Sequence, residues 1–452
     1  MQAVEPVPGT TAGSVHVAPA ARAPARHGTR GELWAWASSD WASSPFFAVV
    51  ITFVFAAYMT RGVAPDEVTG TAQWGWAMTV SALLIAVSSP IMGAIADAGG
   101  RRKPWLVCLT GVSALATAAL WWVEPDPSFM LTGLVLVVLA NTALEIGQAF
   151  YNAMLADLAR PEEMGRWSGW GWGLGYVAGI VALVVILLLF IQREPPLLGL
   201  DEATAEDVRI AGPFLALWIV LFSLPLFLWV PDRAAGTRST GEALRHGLAM
   251  LVQTFRSVRE QKNIFRFLVA RLIYNDGLNT LFAFGGIYAA GTFAMDTSEI
   301  IWFGLGLNIT AGLGAFGFAF MDDKVGSKAT ILAALVGLMA FGIAALLATE
   351  KTTFWIIGLC IGVFVGPAQS ASRTLMARLA PPHQRTEMFG IYALTGKITA
   401  FRGPFLFGTA TLLAGTQRAG MATLLVMFVV GGALLLRVQE PRRRPGAAVE
   451  RG

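Results

Sequence analysis

The sequence predicts an all-α integral membrane protein: twelve transmembrane helices in two parallel-related six-helix halves, with both chain ends on the cytoplasmic side. Three observations predict this fold class. Of the 452 residues only 14% are charged and 55% are apolar, whereas soluble proteins carry roughly 25% charged residues. Twelve apolar segments are each long enough to cross a bilayer, and one stretch of sequence recurs about half a chain length later. A water-exposed surface cannot be built from so few charges.

A membrane-spanning helix needs about 20 mostly apolar residues. Twelve segments meet this requirement: 41–60, 72–97, 104–123, 129–157, 167–191, 211–231, 263–292, 299–321, 328–348, 352–379, 386–414 and 419–437. They divide the chain into a disordered tail (1–38), a six-helix half (39–231), a connector (232–262), a second six-helix half (263–437) and a basic tail (438–452). In the connector Leu244, Leu248 and Leu251 share one helical face, which predicts an amphipathic helix on the membrane surface or packed on the protein.

The distribution of Lys and Arg fixes the predicted orientation. With twelve spans and both ends inside, 24 of the 33 Lys and Arg residues fall on the inner side and five on the outer side. Positive residues collect on the cytoplasmic side of membrane proteins. We therefore expect both termini in the cytoplasm and, in a bacterium, a multi-pass protein of the inner cell membrane.

An internal repeat accounts for the two halves. Residues 148–175 and 369–396 share seven identical positions at a constant offset of 221, among them Gln148 with Gln369, Pro161 with Pro382 and Gly175 with Gly396. Both stretches run from an even-numbered helix through an inner loop into the next helix. Parallel repeats of this kind are common in secondary transporters, whose substrate site lies between the halves near the bilayer midplane.

Composition also argues against several classes of protein. Cys108 and Cys360 lie alone in apolar runs, and all four histidines fall outside the apolar segments, so we expect neither a metal site nor a cofactor. A phosphate-binding loop of the G-x-x-x-x-G-K-[ST] type does not occur, which argues against an ATP-driven pump. The sequence shows no residues in a catalytic spacing at the membrane surface, which argues against an enzyme. Nor is there the clustered basic face that a nucleic-acid-binding module would show.

The loop between the second and third predicted helices reads "GAIADAGGRRKP" at 93–104. It resembles the signature of the major facilitator superfamily, and a weaker copy, "DDKVGSK", occupies 322–328. The resemblance implies a gating loop that holds the two halves together in one conformation, although Ala98 replaces the usual basic residue. The positions that carry it are Gly93, Asp97, Gly100, Arg101, Arg102 and Asp323.

Longer stretches resemble one narrower group, the bacterial relatives of the yeast vacuolar amino-acid effluxer of autophagy. They include "DWASSPFF" (40–47), "FYNAMLADLARPEEMGRWSGWGWGLGY" (150–176), "YNDGLNT" (274–280), "GPAQSASRTLMARLAPP" (366–382) and "FGIYALTGKITAFRGP" (389–404). The resemblance covers residues 40 to 410 and implies solute export, of amino acids in the yeast case. Arg402 departs from the group, where an apolar residue is usual.

A few ionisable residues fall inside the predicted spans, where charges are expensive and usually functional. Glu145, Asp276 and Lys397 each lie 11 to 13 residues from an inner helix end, at a depth of ~16–20 Å. We expect Glu145 and Asp276 to include a proton-coupling carboxylate, because burial raises the pKa of a carboxylic acid towards neutrality. Lys397 would pair with one of them or bind an anionic group of the substrate. A static ion pair that only holds helices together is the alternative.

Polar residues extend the same helix faces and are the predicted substrate pathway. They are Gln148, Asn152, Asn275, Asn279, Gln369, Arg373 and Arg402. Gly171, Gly175 and Gly179 form a flat strip that would let another helix approach closely. Asp40, placed just before the first predicted span, is interpreted as a helix cap.

These features together predict a monomeric secondary transporter in the lipid bilayer that moves a small polar solute by alternating access, coupled to protons or another cation. Amino-acid or related metabolite efflux is what the resemblance implies. A sugar–cation symporter on the same fold is an alternative, although the second span lacks the paired acids that it would predict. A membrane sensor that binds a ligand without moving it is the other alternative.

Overall fold

The computed structural model describes residues 28–99, 101–160, 164–193, 197–232, 259, 261–380, 392, 395–396 and 399–440, without some of the side chains inside these ranges. Residues 233–258 of the predicted amphipathic connector lie outside the described residues, as does most of each predicted tail. Within the described residues, helices follow one another along the chain with short connections.

The first half contains six long helices. They are α1 (Arg30–Val63), α2 (Glu67–Gly99), α3 (Lys103–Trp122), α4 (Met130–Leu158), α5 (Met164–Ile186, continued by a π-helical turn, Leu187–Ile191) and α6 (Ala211–Trp229). The second half repeats the arrangement with α7 (Lys262–Phe293), α8 (Thr297–Val325), α9 (Ser327–Leu347), α10 (Lys351–Leu379), α11 (Arg402–Ala414) and α12 (Gln417–Leu436).

We call the side that carries the start of α1 and the end of α12 the terminal face, and the opposite side the distal face. In the described residues, eight helical stretches are long and apolar enough to cross a membrane. The stretches that fall outside that set belong to α2, α7, α8 and α11, all of which contact the opposite half. Of these four, α11 is a regular helix of only 13 residues.

The two halves pack their helices in the same way. In the first half α1 contacts α5 and α6, α2 contacts α4, and α3 contacts both α4 and α6. In the second half α7 contacts α11 and α12, α8 contacts α10, and α9 contacts both α10 and α12. The twelve-helix fold in two parallel-related halves, predicted from the repeat at offset 221, is thereby confirmed.

The first helix starts earlier than the sequence predicted. Thr29 caps α1, accepting a hydrogen bond from the Glu32 amide at 3.3 Å while the Glu32 carboxylate accepts one from the Thr29 amide at 2.6 Å. This reciprocal pair satisfies two amides that a helix start leaves free. Residues 30–38, assigned to the disordered tail, are therefore helical. Asp40, interpreted as the cap, instead lies inside the helix.

The predicted span 386–414 is also not a regular helix in its described part. Residues 392, 395 and 396 are helical, Thr399, Ala400 and Phe401 form a turn, and the helix resumes at Arg402. Pro404 explains this boundary, because proline has no amide hydrogen to donate and its ring clashes with the carbonyl four residues earlier. The span is therefore interrupted by a turn near the middle of the membrane, and its second helical part begins just before a proline that fits the first turn.

The glycine strip on α5 faces α1. A Cβ at Gly171, Gly175 or Gly179 would meet Asp40, Ser44 or Ala48 respectively, so matching positions are spaced by four residues on both helices. At Gly175 the Ser44 side chain leaves no space for a Cβ. The strip therefore allows close packing within the first half, as the spacing predicted.

Candidate functional site

The two halves meet close to the distal face. The hydrogen bonds that join them there run from Arg61 Nη1 to the Met295 carbonyl (2.7 Å), from Gln192 Nε2 to Ser298 Oγ (3.2 Å) and from Gln417 Nε2 to Thr71 Oγ1 (2.8 Å). Glycine reinforces this closure, since Gly286 of α7 lies directly against the backbone of Thr52 in α1. The distal ends of the helices are thus held together.

A second contact between the halves lies deeper, where α11 starts. Thr79 Oγ1 of α2 lies 3.3 Å from the Phe401 carbonyl oxygen. One turn away, Gly75 packs against the Pro404 carbonyl with no room for a Cβ. The interrupted part of α11 therefore rests on α2 of the opposite half, so that a movement between the halves acts directly on it.

Asp276 of α7 contacts the start of α11, a helix of the same half. Its side chain is only 2% exposed, and it lies ~21 Å along α7 at ~1.5 Å per residue, close to the middle of that helix. Its Oδ2 accepts a hydrogen bond from the Gly403 amide at 3.2 Å and lies 3.9 Å from Arg402 Nε. A carboxylate at the positive end of a helix is favourably placed, and this one comes from a neighbouring helix.

The same site leaves hydrogen-bonding capacity unused. Asp276 Oδ1 accepts no hydrogen bond from the described residues, and Arg402 Nη2 donates none, although both atoms are buried. Most buried polar groups have a partner, so an exception at a charged pair calls for a functional explanation. Arg402 keeps 39% of its side chain exposed and is the accessible member of the pair.

Arg271 lies on α7 one to two turns closer to the terminal face than Asp276. It donates from Nη1 to the Tyr392 carbonyl at 2.9 Å and stacks over the Tyr392 ring at 3.5 Å. Tyr274 Oη and Ser372 Oγ, 2.6 Å apart, link the same stretch of α7 to α10. Arg271 is therefore a buried link between helices.

Glu145 lies on α4 about as deep as Asp276, ~20 Å from the end of its helix at ~1.5 Å per residue, and is half-buried. On the same face of α4, Asn141 donates to Ser81 of α2 at 2.8 Å and Gln148 donates to Ser43 of α1 at 3.0 Å. Asn152 is exposed. This face therefore includes bonds between helices as well as open polar groups.

The remaining predicted pathway residues differ in exposure. Asn275 and Gln369 are half-buried, whereas Asn279 and Arg373 are exposed. Lys397, predicted at the centre of the site, lies outside the described residues. The basic partner beside Asp276 is Arg402, which the sequence analysis had placed in the pathway and not in the central group.

Sequence reasoning missed a second buried carboxylate. Asp40 on α1 is 8% exposed and accepts a hydrogen bond from Tyr151 Oη of α4 at 2.8 Å. Trp36, one turn earlier, stacks on the Tyr151 ring and donates to its carbonyl. The signal was available, because an acid within the run from Trp34 to Phe47 sits among apolar and small residues.

At the terminal face the predicted gating loop joins helices of its own half. Arg102 Nη1 binds Asp157 of α4 at 2.9 Å, and the amides of Arg102 and Lys103 donate to Asp232, which follows α6. Arg101 is exposed beside this cluster. Gly93 and Asp97 lie in the last turns of α2 without described side chains, and Gly100 lies outside the described residues. A contact of this loop with the other half stays a prediction.

The second half builds an equivalent cluster. Glu440, after α12, accepts from the amides of Ser327 (3.0 Å) and Lys328 (2.9 Å) at the start of α9. Arg378 of α10 binds both Glu440 at 2.6 Å and Asp322 at 3.2 Å. Asp322 thus forms the ion pair here, while the side chain of the predicted Asp323 is not described.

A separate cavity lies towards the distal face, between α7, α8, α9, α10 and α12 of the second half, with Phe53 of α1 also in its wall. Phe282, Phe303, Leu338, Phe354 and Phe428 are among its walls, and every residue that lines it is apolar or glycine. A polar solute needs convergent polar groups to hold it. The described polar and charged groups of the interior lie elsewhere, around Asp276 and Glu145.

The chain was compared with known proteins. Residues 63–166 and 162–448 match the family described as "Vacuole effluxer Atg22 like". An "Uncharacterized MFS-type transporter YxiO" of Bacillus subtilis (strain 168) is 24% identical over 408 residues, which cover 90% of this chain and 94% of the relative.

Solved structures agree on the fold. A bacterial homologue of the human lysosomal transporter Spinster, in an inward-facing and unoccupied conformation, superposes with a TM-score of 0.66 at 16% identity, over 89% of this chain and 95% of that one. A D-xylose–proton symporter gives a TM-score of 0.66 at 12% identity, over 90% and 97%. At these identities the likeness concerns the fold alone.

Proposed function

Because the chain belongs to the vacuole effluxer Atg22-like family, whose members are major facilitator transporters and not enzymes, we propose that it exports an amino acid or related small metabolite. Transport occurs by alternating access between the two halves and is coupled to proton movement. The predicted orientation places both chain ends in the cytoplasm of a bacterial cell, with the protein in the inner membrane.

The buried pair of Asp276 and Arg402 carries this proposal. A charged pair near mid-membrane is costly unless it has a task. This one lies at the start of a helix that rests on the opposite half. The surroundings of a charged pair at this place depend on which face is open, because the contact between α2 and α11 must change when the halves move. Static helix pairing would not need unsatisfied atoms such as Asp276 Oδ1.

Each predicted site residue has a role in this scheme. Asp276 and Glu145, on α7 and α4, carry protons from the two halves, and Lys397 pairs with one of them or, together with Arg402, binds an anionic group of the solute. The exposed and half-buried polar groups line the pathway, five of them on the terminal side of these acids and Asn279 on the distal side: Gln148, Asn152, Asn275, Asn279, Gln369 and Arg373.

The conformational cycle follows from where the halves touch. The hydrogen bond of Arg61 to Met295 and that of Gln417 to Thr71 close the distal face. For solute to leave on that side, they must break. The basic loops at the terminal face then approach the other half and serve as the predicted latch.

The test is uptake of a labelled amino-acid mixture into proteoliposomes with and without a proton gradient. Gradient-driven uptake by the wild type, lost in Asp276→Asn and Glu145→Gln, is expected. Glu350→Gln, an exposed acid before α10 whose side chain makes no capping bond, is the matched control and keeps full uptake. Gradient dependence that survives in Asp276→Asn removes Asp276 from coupling. Binding without uptake assigns the chain to the sensors.

A further inference from the structure

The start of α11 offers hydrogen-bond donors in the interior of the protein. A helix leaves its first amides without partners inside the helix, and they attract negative charge. Here the donors are the Gly403 amide and the guanidinium of Arg402, in a helix of 13 residues. Gly403 also brings the backbone close, because Thr280 leaves no room for a Cβ at this position.

A carboxylate of the protein already occupies these donors. Asp276 Oδ2 binds the Gly403 amide at 3.2 Å and faces Arg402 Nε at 3.9 Å, with only 2% of the side chain exposed. The occupation is incomplete, since Oδ1 of Asp276 and Nη2 of Arg402 both lack a partner among the described residues. An arginine fork matches a carboxylate best with two parallel bonds, and Asp276 supplies one long contact.

We infer that Asp276 is an internal stand-in for the carboxylate of the transported solute, and that the solute's carboxylate takes over Arg402 and the Gly403 amide only when Asp276 accepts a proton. Proton and carboxylate therefore bind together and cross the membrane together, so that an outward gradient of the solute carries one proton out with each solute exported. The solute class is a small molecule with a free carboxylate, a statement that rests on the proposed transport function and makes it more specific.

Charge balance supports the co-binding. In the empty site, ionised Asp276 and Arg402 sum to zero. In the loaded site, neutral Asp276, Arg402 and the solute carboxylate again sum to zero, counting the groups that meet at Arg402 and not the ammonium group that an amino acid carries elsewhere. Ionised Asp276 together with a solute carboxylate would leave one buried negative charge in excess, which the interior disfavours strongly. The proton comes from water and adds to a carboxylate oxygen of Asp276, and no bond within the solute is made or broken.

Among the described residues around Asp276, Arg402 is the charged partner. From α12, Met427 and Phe428 pack against Gly277 beside it. From α10, Ser372 bonds to Tyr274. On α7 itself, Arg271 bonds to the Tyr392 carbonyl.

Apart from Arg402, the other described residues that approach α7 near Asp276 are uncharged where they contact it. From α1, the backbone of Thr52 lies against Gly286, nearer the distal face. From α11, Gly403 bonds to Asp276, and Arg402 supplies the positive charge. Among the described residues that these contacts bring to this part of α7, Asp276 is the group that can change charge beside Arg402.

The inference sets the sign and size of a pH effect. Below the pH at which Asp276 ionises, Arg402 is free and the affinity for a carboxylate is at its maximum and constant. Above it, one proton must be taken up for each solute bound, so the affinity falls roughly tenfold per pH unit. An amide analogue of the same solute lacks the charge and shows neither high affinity nor pH dependence.

The experiment measures proton uptake by weakly buffered, detergent-purified protein on addition of an amino-acid mixture or the corresponding amino-acid amides. We expect up to one proton per protein with the acids, approaching one above the pH at which Asp276 ionises, and none with the amides. Asp276→Asn removes the proton uptake but keeps binding of the acids, now independent of pH. Asp276→Asn combined with Arg402→Gln keeps the pair neutral and loses binding, which separates a binding role for Arg402 from a folding defect.

The outcomes separate this inference from the transport function. Gradient-driven uptake in proteoliposomes without proton uptake in detergent overturns the inference and leaves the function standing. Stoichiometric proton uptake without transport supports the site and overturns the function. Equal proton uptake with acids and amides, or pH-dependent binding that survives in Asp276→Asn, also overturns the inference.

Discussion

Glu440 offers a sharp test of how the terminal face is stabilised. Its carboxylate accepts the Ser327 and Lys328 amides at 3.0 and 2.9 Å and the Arg378 guanidinium at 2.6 Å. We predict that Glu440→Gln lowers the stability of the second half. Glutamine has one acceptor oxygen in place of two, so one amide of α9 loses its partner, and Arg378 loses one of its two counter-charges and keeps Asp322.

The size of the effect follows from these contacts. Loss of a helix cap costs about 1 kcal/mol, and a hydrogen bond to a charged group contributes about 1.5–3 kcal/mol. Only 18% of the Glu440 side chain and 20% of the Arg378 side chain are exposed, so solvent screens the pair little. A destabilisation of about 2 kcal/mol corresponds to a shift in Tm of roughly 4–8 °C for a unit the size of one six-helix half.

The pH dependence gives an independent check. Burial raises the pKa of Glu440, but the bonds from the Lys328 amide, Arg378 and the Ser327 amide outweigh burial, so that its pKa lies below the ordinary value. Its contribution is therefore complete above the ordinary pKa of a glutamate and is lost as the pH falls through the lowered value. The gap in Tm between wild type and Glu440→Gln should close on acidification.

Thermal unfolding of detergent-purified protein, followed by intrinsic tryptophan fluorescence, measures both effects. Glu350→Gln is the control, since Glu350 precedes α10 but makes no capping bond, and its Tm should not change. Equal Tm values for Glu440→Gln and wild type at neutral pH would refute the reasoning. A gap that widens on acidification would also contradict it.

Two further predictions concern the contacts between helices. Gly175→Leu should destabilise the fold because α1 leaves no space there, whereas Gly173→Leu, with nothing within 4 Å of the added Cβ, should be tolerated. Thermal unfolding compares the two variants, and an equal fall in Tm for both would contradict the predicted packing. Arg61→Gln removes the 2.7 Å bond to the Met295 carbonyl and should open the distal face more often. Cysteine labelling near that face measures the opening, with the exposed Arg193→Gln as the control expected to leave it unchanged.

The sequence predicted the helices and their arrangement well because both depend on patterns that a bilayer enforces. A span of about 20 apolar residues is visible in any sequence, and the offset of 221 directly exposes the repeat. Helix ends were less predictable, because they depend on single side chains. The Thr29 and Glu32 capping box extends α1 by about a third of its length into a stretch that composition assigned to a tail.

The sequence predicted which residues lie in the candidate site better than it predicted which of them contact each other. Depth along a helix picked out Asp276 and Glu145, since it follows from residue counts. Partners depend on where a neighbouring helix begins, and the turn before Arg402 brings that residue, and the Gly403 amide, to Asp276. Pro404 was the available signal, because a proline within a predicted span marks a place where backbone donors become free.

The repeat also explains why the terminal-face clusters look alike although their residues differ. Asp157 and Arg378 are matched at the offset of 221, and each closes the end of an even-numbered helix. Asp157 binds Arg102 in the first half, whereas Arg378 binds Asp322, one residue from the matched position, in the second. An ion pair is present in both halves, but the acidic and the basic residue have exchanged places. Since an ion pair depends on the product of its charges and not on their order, Arg102→Asp with Asp157→Arg should preserve folding where either change alone impairs it.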